Sequence, residues 1–385
     1  MFLLKLLLRN AFRHKLRTLL TILSLTIAIS AFGLLRTFIS AWYAGVEASS
    51  ASRLVTRNSI SLIFPLPLSY KEKIRQIEGV KQVSWGTWFG GIYINEKNFF
   101  ANFAVDPKTY LNLYSEFLLA PDQREAFLRD RKSFVAGRKL AERFKWRIGD
   151  IVTLRGTIFP GNWEFVLRGI YRGRDETVDE TTFFFHWDYL NETLKKTAPV
   201  RTDQVGWYMI GITHPDRATA VALAIDKTFK NSLAETITES EKAFQLSFIS
   251  MSEAIITAIQ MVSIVIIIII IAVAANTMSM TARERIGEYA IFKTLGYRGW
   301  RIGMMILGES MFITLLGGAL GMALTFPIAR ACGKILSAFF PIFKVPDEIF
   351  VMDLAAVLVV GLSAAIVPTW RASRIRIAEG LRRIG

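Results

Sequence analysis

The 385 residues include one cysteine, Cys332, and three histidines, His14, His186 and His214. A single thiol excludes an intramolecular disulfide, so a domain outside the cytosol has to be held by its core alone. The histidines are scattered, and with one cysteine they offer no metal-ligand cluster. Nucleotide and hydrolase motifs are missing too. Gly333-Lys334 is no phosphate loop, because Ile335 follows it and Ile328 stands where the first glycine belongs. No HExxH occurs, and Gly308-Glu309-Ser310 fails as a nucleophile elbow because Phe312 takes the last position. The acidic residues show no spacing that singles out a pair. The expectation is a chain that is not an enzyme, with no catalytic residue, no metal and no cofactor of its own.

What the chain has instead is apolar length and basic edges. Hydrophobic residues make up 52% of it, and they are clustered, which places the chain in the membrane class. The net charge of +15 is concentrated beside the apolar runs. Lys5, Arg9, Arg13, Lys15 and Arg17 precede the first run. Arg283, Arg285, Lys293, Arg298 and Arg301 follow the second, and Arg371, Arg374, Arg376, Arg382 and Arg383 follow the last. Charge so placed sets membrane orientation and meets anionic lipid, so membrane lipid is an expected partner and nucleic acid is not.

In order, residues 1–17 alternate Leu with Lys and Arg and read as an amphipathic interfacial helix; the n-region of a signal peptide is the other reading. Residues 18–41 form a first span, its apolar core covering roughly 27 Å at 1.5 Å per residue. Residues 42–250 change character, with mixed polarity, Gly and Pro punctuation and short alternating runs. They predict an extracytoplasmic α+β domain with βαβ units near both ends and a β-rich insertion between. Within it, helices are expected at 69–79, 133–144 and 215–229. Strands are expected at 80–85, 151–155, 164–171, 207–213 and 235–238. Residues 251–276, with the run IVIIIIIIAVAA, form the second span. Residues 302–328 form the third, 329–353 a short outer loop, and 354–370 a fourth span ending near Pro368. Residues 371–385 are a basic tail. Four spans with both termini inside satisfy the positive-inside rule at every short loop, which leaves the large domain outside.

Several residues stand out against this frame. Arg36, just after the first run, can snorkel, with Glu253 as a candidate ion-pair partner; headgroup contact for each is the alternative. Gly317 and Gly321 make a GxxxG pair that permits close helix approach, within one subunit or between two. Glu309 lies about two turns into the third span, and a carboxylate there is expected to have a structural partner or to snorkel. Between spans two and three, residues 277–301 carry a short amphipathic helix that Gly296 can stop in a left-handed cap. Arg283, Glu284, Arg285 and Glu288 offer charge-assisted contacts, and Ile286, Tyr289, Ala290 and Phe292 offer apolar anchors. A partner-docking helix and a helix resting on headgroups both fit that composition.

Across nearly its whole length the chain resembles the MacB-type (type VII) ABC-transporter permeases, the group that includes the FtsX and LolC/LolE subunits. The stretches that carry the resemblance are LLRNAFRHKLRTLLTILSLTIAI, TARERIGEYAIFKTLGYRGWRI with ILGES after it, VPTWRASRIRIAEGLR, and VAGRKLAERFKWRIGDIVTLRG in the outer domain. Ile377 departs from the pattern, where the family often has proline. The resemblance implies Porter- and Sabre-like parts outside and a coupling helix seated in a groove of a separate ABC ATPase. ATP and magnesium would then be bound on that ATPase. It also implies a second permease copy forming a homodimer, a periplasmic adaptor with an outer-membrane channel, and residence in the bacterial inner membrane. Three roles follow from it: export driven by motion of the outer domain, an FtsX-like relay to a cell-wall hydrolase, and LolC/LolE-like lipoprotein release.

Overall fold

The computed structural model describes residues 13–250, 252–336, 340 and 342–374. Most of the expected interfacial helix at 1–17 and of the basic tail at 371–385 therefore lies outside the described residues. The chain divides into two units. One comprises the chain up to Ala41, Ser252–Lys334 and the chain from Phe343 on; the other comprises Trp42–Met251 and Ile335–Ile342.

The first unit is helical. Among the described residues, four helices are long and apolar enough to cross a membrane: α1 (Lys15–Ala48), α9 (Glu253–Glu284), α11 (Gly299–Ile335) and α12 (Asp347–Ser373). They outrun the expected spans because hydropathy marks the stretch lipid must accept, while backbone hydrogen bonding carries the helix beyond it. The loop expected at 329–353 is accordingly mostly helix. Pro368 does not end the fourth span, since α12 runs through it to Ser373, and Pro327 likewise lies inside α11.

Close approach between these helices is set by small residues. A Cβ on Gly317 would lie 2.6 Å from the Leu25 Cβ, and one on Gly321 would lie 2.9 Å from both the Ile29 Cβ and the Thr26 carbonyl oxygen. The freed space is used for polar contact. Thr26 Oγ1 donates to the Gly317 carbonyl at 3.2 Å, Ser30 Oγ to that of Gly321 at 2.8 Å, and Ser310 Oγ to that of Gly361 at 2.8 Å. The GxxxG pair thus packs α11 against α1 of the same chain. Interhelical hydroxyl–carbonyl bonds of this kind contribute roughly 0.6–2 kcal/mol each.

The second unit is a mixed sheet with short helices. Its strands are β1 (Arg53–Asn58), β2 (Leu66–Pro67), β3 (Val80–Trp88), β4 (Gly91–Tyr93), β5 (Asn102–Val105), β6 (Phe117–Leu118) and β7 (Ser133–Gly137). After these come β8 (Ile151–Gly156), β9 (Gly161–Gly173), β10 (Phe183–His186), β11 (Gln204–Val205), β12 (Trp207–Ile212) and β13 (Thr236–Ser240). The helices are α2 (Tyr70–Arg75), α3 (Tyr110–Leu113), α4 (Pro121–Arg129), α5 (Arg138–Phe144), α6 (Trp187–Thr197), α7 (Ala218–Thr228) and α8 (Glu241–Ser250).

The main sheet runs β13-β1-β12-β3-β5-β10-β7-β9-β8-β4, with β6 on β9 and a separate β2–β11 pair. Its first four strands have the split βαβ arrangement: β1-α2-β3 and β12-α7-β13 interleave, with β1 and β3 both antiparallel to β12. The segment between β3 and β12 extends the same sheet, including the parallel pairs β5–β10 and β7–β9. This is the α+β domain with an insertion that the sequence predicts.

Both faces of the sheet are covered, which the period of two in its strands explains. Leu54, Phe134, Phe183, Phe185, Tyr208 and Ile210 enter one core, while their neighbours Val55, Val135, Phe184 and Met209 enter the other. Segment 133–144 is a correction to the sequence reading. Ser133–Gly137 is a fully buried strand, and only Arg138–Phe144 is helix. A short apolar run buried on both sides has no amphipathic period to distinguish the two.

Candidate coupling site between the second and third long helices

The helix α9 does not stop at the membrane edge expected at residue 276 but continues to Glu284. Arg285 breaks it at φ −102° and ψ 13°, and a separate nine-residue helix, α10 (Ile286–Thr294), follows. Gly296 sits at φ +88°, with the Tyr297 N–H bonded to the Phe292 carbonyl at 3.0 Å and the Gly296 N–H to that of Lys293 at 3.1 Å. That is a glycine-terminated helix end of the Schellman kind, and it turns the chain into α11.

Glu284, Arg285 and Glu288 at this break are each engaged. Arg17 makes a two-pronged contact with Glu284, both bonds 2.7 Å, and His14 Nε2 lies 3.4 Å from the same carboxylate. Arg13 pairs with Glu288. Arg285 bridges inward: its Nε lies 3.1 Å from Glu288, its Nη1 lies 3.0 Å from Glu309 on α11, and its Cζ sits 5.5 Å from the Tyr289 ring centre. The Arg285 and Glu309 side chains are only 8% and 7% exposed. Lys293 Nζ donates to the Ser373 carbonyl at the end of α12 at 2.9 Å. Burial raises the Glu288 carboxyl, but the hydrogen bonds from Arg13 and Arg285 outweigh it and hold the group below its ordinary value. Burial pushes Tyr289 up to about 12, against the lowering effect of the nearby Arg285 guanidinium.

The apolar residues divide by face. Tyr289 is 1% exposed and packs with Ala282, Ile302, Ile306 and Ala372, with Phe292 at the margin; Ala290 is fully buried. Tyr289 and Ala290 are therefore not free to anchor a partner, which corrects the reading of α10 as a helix offering its whole apolar face. The exposed apolar groups are Ile291, Leu295 (70% exposed), Tyr297 and Trp300 (61% exposed), with Arg301 stacked near both rings. Sequence reasoning passed over these four because they straddle the cap at Gly296 and follow no single helical period. Arg283 and Glu284 belong to the end of α9 rather than to α10, Arg283 on its exposed side. Ile286 is half-buried at the start of α10.

The remaining singled-out residues lie elsewhere. Glu253 is exposed in the first turn of α9, and among the described residues no ion pair joins it to Arg36. The Arg36 guanidinium carbon instead lies 5.4 Å from the Phe32 ring centre. Asp353, expected at a loop end, is inside α12, 2% exposed, and its Oδ1 has no hydrogen-bond partner. No group of three or more potential metal ligands occurs among the described residues.

Residues 260–377 match the FtsX-like permease C-terminal family, a stretch that contains the break, α10, α11 and α12. This part of the chain resembles the C-terminal region of FtsX-like permeases. Over 108 residues the chain is 32% identical to the uncharacterized ABC transporter permease YvrN of Bacillus subtilis (strain 168), 28% of the chain matching 25% of that protein. The chain thus spans about a quarter of the length of that curated relative. Among solved structures, the periplasmic region of MacB from Actinobacillus actinomycetemcomitans aligns at 8% identity and a TM-score of 0.39, covering 53% of this chain and 95% of that one. The extracellular domain of the noncanonic ABC-type transporter YknZ from Gram-positive bacteria aligns at 11% identity and a TM-score of 0.35, covering 49% and 100%. Four membrane-length helices among the described residues and a mixed sheet domain fit a membrane-spanning permease.

Proposed function

We propose that this chain is the membrane subunit through which a separate ABC ATPase drives an export step carried out by the sheet domain on the far side of the bilayer. The observation that carries the reading is the division of the α10 region into an inner face locked to the long helices and an outer face left open. Arg13 and Arg17 on or beside α1, Glu309 on α11 and the Ser373 carbonyl on α12 all hold it. A push on such an element is passed to three long helices at once, because none of these contacts can yield without losing an ion pair or a charge-assisted hydrogen bond.

The ATPase contact is assigned to Ile291, Leu295, Tyr297 and Trp300, with Arg298 and Arg301 beside them. Aromatic and aliphatic anchors next to arginine are the composition of an interface hot spot. ATP and magnesium are bound on the ATPase, and a second permease copy completes the pair. A periplasmic adaptor and outer-membrane channel would receive the exported substrate.

The test is reconstitution of the permease with its ATPase. Leu295→Asp and Trp300→Asp should abolish copurification of the ATPase and the permease-dependent part of its ATP turnover, while leaving the permease helical and monodisperse. Full turnover and intact copurification in both variants would remove this surface from the mechanism.

A further inference from the structure

A cleft of about 730 Å³ opens on the sheet domain, well away from the break just described in sequence. Helix α5, strand β9 and the short strand β6 form its walls. Its rim carries Arg138, Lys145, Arg147 and Arg172 against a single carboxylate, Glu142. Arg138 is already matched, 2.8 Å from the buried Glu180 and 3.1 Å from Glu142. Among the described residues, the side chains of Lys145, Arg147 and Arg172 make no ion pair or hydrogen bond. Three uncompensated cations therefore face one concavity.

The floor is apolar. Leu118, Ile170, Ala141 and the edge of Trp146 line it, and Leu118 is half exposed although it lies in a paired strand directly across from Arg172. Trp146 is held in place by its indole N–H, 3.3 Å from the Tyr93 hydroxyl, so this wall exists before any ligand arrives. Gln123 adds direction. Its Oε1 accepts the Ile170 N–H at 3.0 Å, which leaves its amide NH₂ as a free donor.

We propose that this cleft binds an anionic amphiphile, a single molecule with a phosphate or carboxylate head and an apolar body. The head meets Arg147, Arg172 and Lys145, and the body lies on Leu118 and Ile170. Arginine forks and a lysine suit a compact oxyanion, and the volume is that of a site for one small molecule. An acidic peptide fits less well. The Ile170 N–H of β9 at the cleft is already taken by Gln123 Oε1, so it is not open for a peptide backbone to pair with. The binding requires neither nucleotide nor ATPase, so it stands or falls separately from the coupling proposal.

The experiment is calorimetric titration of the full chain in phosphatidylcholine nanodiscs, with empty discs subtracted. Four probes are compared: octyl phosphate, octyl glucoside, inorganic phosphate and an octaglutamate peptide. Octyl phosphate should bind saturably and more tightly than the other three. The Arg147→Gln/Arg172→Gln pair should weaken it roughly tenfold or more, since two charge-assisted contacts are lost. Leu118→Ser should weaken octyl phosphate while leaving inorganic phosphate unchanged. All three positions are exposed, so these variants are expected to fold, and an unchanged circular dichroism spectrum checks that. No saturable octyl phosphate binding, binding unaffected by the double arginine variant, or equal affinity for inorganic phosphate or the peptide would each overturn the proposal.

Discussion

The Arg285–Glu309 pair makes a sharp test, because its two halves are not equally replaceable. The groups are 3.0 Å apart and both are buried. At an effective dielectric of 20, two unit charges at that distance attract by about 5 kcal/mol, and desolvation offsets most of this. What a substitution costs therefore depends on what it strands. Arg285→Met leaves the Glu309 carboxylate buried with no other partner among the described residues, which costs about 3–5 kcal/mol. Glu309→Gln strands nothing. Arg285 keeps Glu288 at 3.1 Å, and the new amide oxygen still accepts, so the loss is about 1–2 kcal/mol. Arg285→Met with Glu309→Leu removes both charges and should return to within about 1–2 kcal/mol of the parent. The assay is unfolding in mixed micelles by increasing SDS fraction, followed by far-ultraviolet circular dichroism. The expected order of stability is parent, then Glu309→Gln and the double variant together, then Arg285→Met well below. Equal losses from the two single variants, or a double variant worse than either, would refute the idea that the pair is held by mutual need.

Three further outcomes follow from the same structure. In the sheet domain, Arg53 is 7% exposed. It lies 2.8 Å from Glu241 and 2.6 Å from Glu116, with its guanidinium over the Tyr114 ring. Arg53→Met leaves Glu116 and Glu241 without their cation, although Glu241 keeps the Ser50 N–H and the Tyr114 hydroxyl, and should cost about 3–5 kcal/mol by chemical denaturation, with Arg53→Lys intermediate because it cannot fork between them. His186 is buried with its Nε2 2.7 Å from the Phe127 carbonyl, and burial holds its imidazole below the ordinary value. Its neutral form is favoured by folding, so that stability is present above about pH 6.5 and is lost as pH falls through the lower folded value. His186→Gln should flatten the acid side of the stability–pH curve, and an unchanged curve would count against this. Gly317→Val drives side-chain atoms into Leu25 and should lower the thermal midpoint of the membrane unit, an overpacking loss of about 1–3 kcal/mol or more.

Much was legible before the fold was seen, and the reason is physical range. Spans, their basic edges and the left-handed stop at Gly296 are local consequences of hydropathy, charge and backbone freedom, so they show in the order of residues. The βαβ character near both ends was visible for the same reason, since each strand's alternation is set by its immediate neighbours, but β1 (Arg53–Asn58) was not among the expected strands. What lay hidden is whatever depends on contact between distant positions. Ser133–Gly137 is a strand because β9 and β10 flank it, not because of anything in its five residues. Glu309 could be marked as needing a partner, but only packing named Arg285. Asp353 looked like a loop end until α12 carried it inside. The short helix α10 shows the division most clearly. Its composition announced an amphipathic element between two spans, yet Tyr289 and Leu295 are equally plausible anchors on paper. Tertiary burial alone decided that the first is spent inside the bundle and the second is left facing outward, because burial is a property of neighbours and not of the residue itself.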